Sequence, residues 1–220
     1  MPYGLRIGPA RPAADAALVE RFRKIPVANI SDSMFRIVAG GASLRPIGSS
    51  ALCGIALTVR TAPGDNLFVH KALDLAQSGD VVVVDAGGDL TNAIIGERML
   101  AIAAAKGLAG IVINGAIRDV DALANHPLPV FAAGVTHRGP YKNGPGEINF
   151  PIAIAGMVVQ SGDIIVGDAD GLVCVPAADA AAICDLAAAK FKHETDTDPT
   201  KESRAWVDDA LSRLGVEYVS

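Results

Sequence analysis

Aromatic side chains are scarce in this chain of 220 residues: six Phe, three Tyr and one Trp make 5% of it, while half of all residues are hydrophobic. A core built from this composition is made of Ala, Val, Ile and Leu rather than of stacked rings. Cysteine is also scarce. Cys53, Cys174 and Cys184 are an odd number in apolar surroundings, which excludes a disulfide scaffold and reads as three reduced core thiols. The four histidines, His70, His126, His137 and His193, show no zinc-ligand spacing. No apolar run approaches the roughly 20 residues that span a bilayer. Met1 to Ala17 contains no hydrophobic signal core, so a cytoplasmic protein is expected. No Lys- or Arg-rich run occurs and the net charge is −5, which argues against a nucleic-acid surface. Neither a Walker lysine loop nor a GxGxxG turn with a ribose-binding acid downstream is present.

What the chain does have is concentrated between Gly79 and Asp121, GDVVVVDAGGDLTNAIIGERMLAIAAAKGLAGIVINGAIRDVD. Val81 to Val84 form a run suited to a strand buried on both faces. Gly87, Gly88 and Asp89 interrupt it. From about Asn92, the apolar residues Ile94, Ile95, Met99, Leu100, Ile102 and Ala103 predict a helix with one apolar face, stopped by Gly107. Ile111 to Ile113 predict a second strand. The order is that of a right-handed βαβ unit. In open parallel sheets ligands sit beyond the carboxyl ends of strands, so the loops Asp85 to Asp89 and Asn114 to Asp119 are expected to face one crevice. The helix N-terminus would open there too, offering unpaired amides to an anion, with Gly96 allowing close approach and Glu97 following at once. Arg118-Asp119 closes the segment. Such pairs after a strand are most often surface charges or caps. Here the convergence of amides, guanidinium and carboxylates makes the segment the candidate site, and its oxygen donors suit Mg²⁺ or Mn²⁺.

Other segments read more simply. Asp15 to Phe22 suggest a helix; IPVANISDSM suggests a strand and then a helix capped by Ser31 or Asp32. Strands are expected at 56–60, 130–132, 152–154, 163–166 and 172–175, and helices at 66–76 and 176–191. A polar linker at 193–198 should lead to a last helix from Asp198-Pro199 to near Gly215. Asp168 and Asp170 imitate a metal pair, yet an Asp turn with Gly171 at positive φ explains them better. His137, in the loop GVTHRGP, is a weak candidate for substrate contact, and Lys106, at the far end of the helix, is poorly placed as a Schiff-base lysine.

The stretch GERMLAIAAAKGLAGIVINGAIRDVDAL resembles the signature of the RraA-like family. IPVANISDSM and PVFAAGVTHRGPYKNGPGEINFPIAIAGMVVQSGDIIVGDADGLVCVP extend the likeness over Ile25 to Pro176. The family includes class II 4-hydroxy-4-methyl-2-oxoglutarate aldolases and the regulator of ribonuclease activity A. The resemblance implies an α/β fold, a swivelling β/β/α domain with a central mixed sheet, helices on its faces and C-terminal helices. It implies an arm at 1–24, a catalytic domain at 25–176 and C-terminal helices at 177–220, assembled as a trimer or dimer of trimers. The implied activity is divalent-metal-dependent retro-aldol cleavage of a 4-hydroxy-2-oxo acid to pyruvate, with oxaloacetate decarboxylation beside it. Arg118 would bind the pyruvyl part of the substrate. Asp119 would ligate the metal, Glu97 would act on it through water, and the amides of Gly96, Glu97, Arg98 and Met99 would receive the carboxylate. A further acid comes from a neighbouring subunit; Glu194 is the nearest candidate, in a tail, KFKHETDTDPTKESRAW, that departs from the aldolases. The alternative is a non-catalytic regulator acting through protein–protein binding.

Overall fold

A computed structural model describes residues 2–11, 15–37 and 42–219. In chain order its elements are β1 (Leu5–Ile7), α1 (Ala16–Phe22), α2 (Val27–Ser33), β2 (Arg45–Ile47), β3 (Leu52–Thr61), α3 (Leu67–Leu75), β4 (Asp80–Asp85), β5 (Ala93–Ile95), α4 (Glu97–Ala105), β6 (Gly110–Ile117), α5 (Val120–Ala124), β7 (Val130–Val135), β8 (Gly146–Ile148), β9 (Ile152–Ile154), β10 (Met157–Val159), β11 (Ile164–Gly167), β12 (Leu172–Val175), α6 (Ala180–Asp196) and α7 (Ala205–Arg213). The α/β class expected from the sequence is the one observed.

The main sheet runs β1-β8-β3-β4-β6-β7-β2, with β11 and β12 continuing from β3 and β5 beside β6. It is mixed. β3, β4, β6 and β7 are parallel neighbours, while β2, β8 and β11 pair antiparallel. Val81 to Val84 are wholly buried, and their alternation sorts them between two cores. Val82 and Val84 join Leu57, Val59, Ile111 and Ile113 under α3 and α4. Val81 and Val83 face Ile152, Ile154, Met157 and Val159 of the β9–β10 hairpin. A strand covered on both faces needs β-branched residues at every position, which explains the unbroken Val run. A third cluster packs α1, α2 and α6 against β11 and β12, with Phe22, Ile30 and Cys184 fully buried.

Three local readings are corrected. Ile94 and Ile95 do not begin α4; they form the short strand β5, beside the end of β6, and Gly96 starts the helix. Two apolar residues followed by a helical apolar face read as one period when only spacing is seen. IPVANISDSM contains no strand: Pro26 caps α2 directly, and Ser31 and Asp32 lie inside the helix. The cap comes from far away in sequence, as Asp168 Oδ2 accepts from Val27 N at 2.9 Å. Finally, α6 runs on to Asp196 through most of the expected linker, and Asp198 bonds Thr200 and Lys201 in a turn ahead of α7. The Asp168 turn is as expected: Asp170 N donates to Asp168 Oδ1 at 2.9 Å, and Gly171 has φ +149°.

Candidate active site

The parallel strands β3, β4, β6 and β7 end on one edge of the sheet, and three of the segments leaving that edge build a cleft. After β3, the chain turns at Asn66 into α3. After β6, it passes through Arg118 and Asp119 into α5. After β7, a loop carries Pro140 and Lys142. These residues, with Gly96, Arg98, Met99 and Ile102 of the α4 entrance and His70 of α3, line a cleft of about 310 Å³. That is at the small end of ligand pockets and suits a small acid.

The strand β6 is irregular where the site begins. Its register with β7 shifts between Ile113 and Ala116, and β5 pairs with it only beyond that point. The Asn114 carbonyl, at the end of the β4–β6 ladder, accepts from both Ala86 N at 3.2 Å and Gly88 N at 3.0 Å. The loop after β4 is therefore folded back on β6 rather than into the cleft. Its acids are occupied locally: Asp85 accepts from Gly87 N at 3.0 Å, and Asp89 accepts from Thr91 and Asn92. The expected shared crevice thus exists for the Arg118-Asp119 loop, not for Asp85 or Asp89, and the loops after β3 and β7 take the place of theirs.

Asp119 is the pivot. It sits in left-handed backbone, φ 58° and ψ 41°, which Asp tolerates better than most residues. It occupies the N-cap position of α5 but makes no side-chain bond to that helix. Its Oδ2 instead accepts from Glu97 N, the first amide of α4, at 3.1 Å, and lies 3.6 Å from Arg118 Nε. A carboxylate at a helix N-terminus is electrostatically favoured. Both side chains are 41% exposed, and Asp119 Oδ1 takes no hydrogen bond from the described residues. Gly96 permits this approach, since a Cβ there would press on Asp119 Oδ2 and stand 3.0 Å from Arg118 Cγ. The Arg98 N–H has no acceptor among the described residues and remains available to an anion.

The sequence-derived candidates are thus only partly assembled. Gly96, Arg98, Met99, Arg118 and Asp119 line the cleft; Glu97 is exposed on the same helical turn, outside the lining. Glu194 lies on α6, held by Lys190 at 2.9 Å and Asn29 at 2.6 Å, and Lys190, then Asn29, keep its carboxyl below the ordinary value. It forms no part of this chain's cleft. His137 is exposed and outside the lining, and Lys106 is tied to the Leu73 and Asp74 carbonyls at 2.6 Å. Asn66, His70 and Lys142 also line the cleft and are not among the sequence-derived site candidates. The signal available was topological: each lies on a segment leaving a strand parallel to β6. Burial, with the Lys142 charge second, pushes the His70 imidazole below its ordinary pKa, while Asp74 opposes.

A hard cation could be held by Asp119, since Mg²⁺ is commonly bound through one or two carboxylates and keeps water or substrate oxygens elsewhere. Among the described residues no three His, Cys, Asp or Glu side chains cluster as a metal cage. Nor is any helix long and apolar enough to cross a membrane among them.

Comparison with known proteins agrees with this architecture. A protein of Halalkalibacterium halodurans, named provisionally as a 4-hydroxy-4-methyl-2-oxoglutarate aldolase, is 42% identical over 164 residues, 74% of this chain and 78% of its own. The 4-hydroxy-4-methyl-2-oxoglutarate aldolase of a Thermus thermophilus strain is 35% identical over 59% of this chain and 78% of its own. A Streptomyces coelicolor protein, described as an unusual member of the RNase ES inhibitor RraA family, superposes with a TM-score of 0.74 at 27% identity, covering 86% of this chain and 96% of that one. The family pattern described as RraA-like, Aldolase/RraA, matches residues 27–174. The chain belongs to the RraA-like family.

Proposed function

We propose that this protein is a lyase that cleaves a 4-hydroxy-2-oxo acid of the 4-hydroxy-4-methyl-2-oxoglutarate type by a retro-aldol reaction, releasing pyruvate. The observation that carries the reading is Arg118 and Asp119 meeting the first turn of α4 at Gly96, at one end of a cleft sized for a small acid. The names of the related aldolases point the same way.

The pyruvyl end of the substrate binds between Arg118 and the α4 entrance, its carboxylate accepting from the Arg98 amide. The bond between carbons 3 and 4 breaks and its electron pair passes to the pyruvyl half as an enolate; the 4-hydroxyl gives its proton to a water held by Glu97, carbon 4 leaves as the carbonyl of the second product, and the enolate takes up a proton at carbon 3 to become pyruvate. Arg118 gives a charge-assisted hydrogen bond to the oxygen on which negative charge grows. Asp119, fixed by Glu97 N, would hold Mg²⁺ or Mn²⁺, with Glu97 acting through water and Glu194 of a second copy as a further acid. The cation, when bound, supplies Lewis-acid stabilisation of the same charge. Decarboxylation of oxaloacetate passes through the same enolate and is the expected side activity. An oligomeric assembly, a trimer or a dimer of trimers, belongs to this reading.

The test is pyruvate release from 4-hydroxy-4-methyl-2-oxoglutarate and oxaloacetate with Mg²⁺, Mn²⁺ or EDTA. Release that EDTA abolishes, and that falls about 100-fold or more in Arg118→Ala and Asp119→Ala, is expected. Full activity in both variants refutes the mechanism. The RNase ES inhibitor relative supports a second reading, a regulator that acts by binding another protein. Absence of release with every metal would favour it.

A further inference from the structure

The loop after β4 stays out of the cleft, but its last residue reaches toward it. Asn92 is 5% exposed and stands just before β5. Its Nδ2 donates to the Gly139 carbonyl at 2.5 Å, in the segment that leaves β7. The next amide, Ala93 N, donates to the Arg138 carbonyl at 2.8 Å, and Tyr141 N donates to the Gly64 carbonyl at 2.8 Å. Residues 138, 139 and 141 are thus each tied to a neighbouring strand exit. The Asn92 side chain runs close past Gly64, where a Cβ would stand 3.1 Å from Asn92 Cβ.

Gly139, held in this way, borders Arg118. A Cβ on Gly139 would stand 3.1 Å from Arg118 Nη1, while one on Gly96 would stand 3.0 Å from Arg118 Cγ and 3.1 Å from Nε. Two glycines from different segments therefore flank one side chain, Gly96 along its stem and Gly139 at its head. Neither has a positive φ, so what each contributes is the missing Cβ. Arg118 needs such walls. It is 41% exposed, its carboxylate neighbour Asp119 is 3.6 Å away, and its guanidinium makes no hydrogen bond with a described residue. A long side chain in that state keeps several rotamers unless packing removes them.

We infer that Asn92 is a positioning residue of the site: by fixing the Gly139 carbonyl it sets the wall that holds the Arg118 guanidinium at the α4 entrance. Asn92 itself is not in the cleft lining. The inference rests on the lyase reading only for what Arg118 does; the ordering of Arg118 belongs to the unliganded protein.

Two measurements test it. The first needs no substrate: NMR relaxation of the Arg118 Nε–Hε group, assigned by its loss in Arg118→Ala. In the wild type the group is as ordered as the backbone around it, and in Asn92→Ala it becomes as mobile as that of the exposed Arg204. Gly139→Ala, which keeps Asn92 and crowds Nη1, shifts the same resonance and serves if Asn92→Ala does not fold. Unchanged order in Asn92→Ala, or an unmoved resonance in Gly139→Ala, overturns the inference. The second is a double-mutant cycle on pyruvate release. Asn92→Ala lowers kcat about 10–100-fold, the cost of a misplaced group, and changes KM much less. In the Arg118→Ala background the same substitution costs little more. Equal losses in both backgrounds would mean that Asn92 supports the fold and does not act through Arg118. Absence of release from every variant, with Arg118 loosened by Asn92→Ala, would count against the lyase alone and leave the positioning role standing.

Discussion

Gly96 shows how little room the catalytic end of the cleft has. Its backbone is extended, φ −150° and ψ −168°, so any residue could adopt it, and the requirement is steric. A Cβ there would collide with the carboxylate that Glu97 N holds and with the Arg118 side chain. Gly96→Ala is therefore predicted to lower kcat/KM by an order of magnitude or more while leaving the melting temperature within a few degrees of wild type; unchanged kinetics would show that Asp119 need not sit at the α4 entrance. Arg118 and Asp119 were legible in the sequence because a charged pair at a strand exit is a local pattern. Asn66, His70 and Lys142 were not. Asn66 reads only as the first residue of the helix at 66–76, and Lys142 lies 24 positions beyond Arg118 in a loop whose path nothing local predicts. Only the parallel pairing of β3, β6 and β7 brings them together.

At the scale of elements, burial was easier to read than boundaries. The Val81–Val84 strand and the α3 helix follow from period alone. The start of α4 did not, because β5 and the helix present one continuous apolar series; what separates them is pairing with the end of β6, a long-range fact. The same holds for α2. Its N-terminus carries no side-chain cap from its own residues, and the Asp168 turn supplies one across 141 positions. Asp168→Ala should thus cost about 1 kcal/mol or somewhat more, a fall in melting temperature of about 2–4 °C for a chain of this size. Thermal unfolding followed by circular dichroism measures it. A melting temperature equal to wild type would mean that α2 does not depend on this turn.

At the scale of the whole molecule, a buried acid adds to the β1–β8 ladder in tying the N-terminal strand to the sheet. Glu147 is 1% exposed and accepts from Gly4 N at 3.1 Å, Arg6 Nε at 2.7 Å and Arg60 Nη1 at 3.3 Å. Burial pushes its carboxyl up, but the Gly4 amide and then the two guanidinium groups outweigh that and hold it below the ordinary value. A depressed pKa in the folded state means that the unfolded chain binds the proton more readily. The stabilisation is present above the unfolded pKa of about 4.3 and is lost as pH falls through the folded value. Urea midpoints of wild type and Glu147→Gln should accordingly differ most at pH 7 and converge as the pH falls below the ordinary carboxylate range; a gap that persists in acid would assign the effect to packing instead.

The most direct test of the account is the release of pyruvate from 4-hydroxy-4-methyl-2-oxoglutarate by wild type and by Asp119→Ala, each with Mg²⁺ and with EDTA. Release by the wild type with Mg²⁺, its abolition by EDTA and its loss in the variant are the predicted results. Equal release by both proteins, or release that EDTA leaves untouched, would contradict the role given to Asp119.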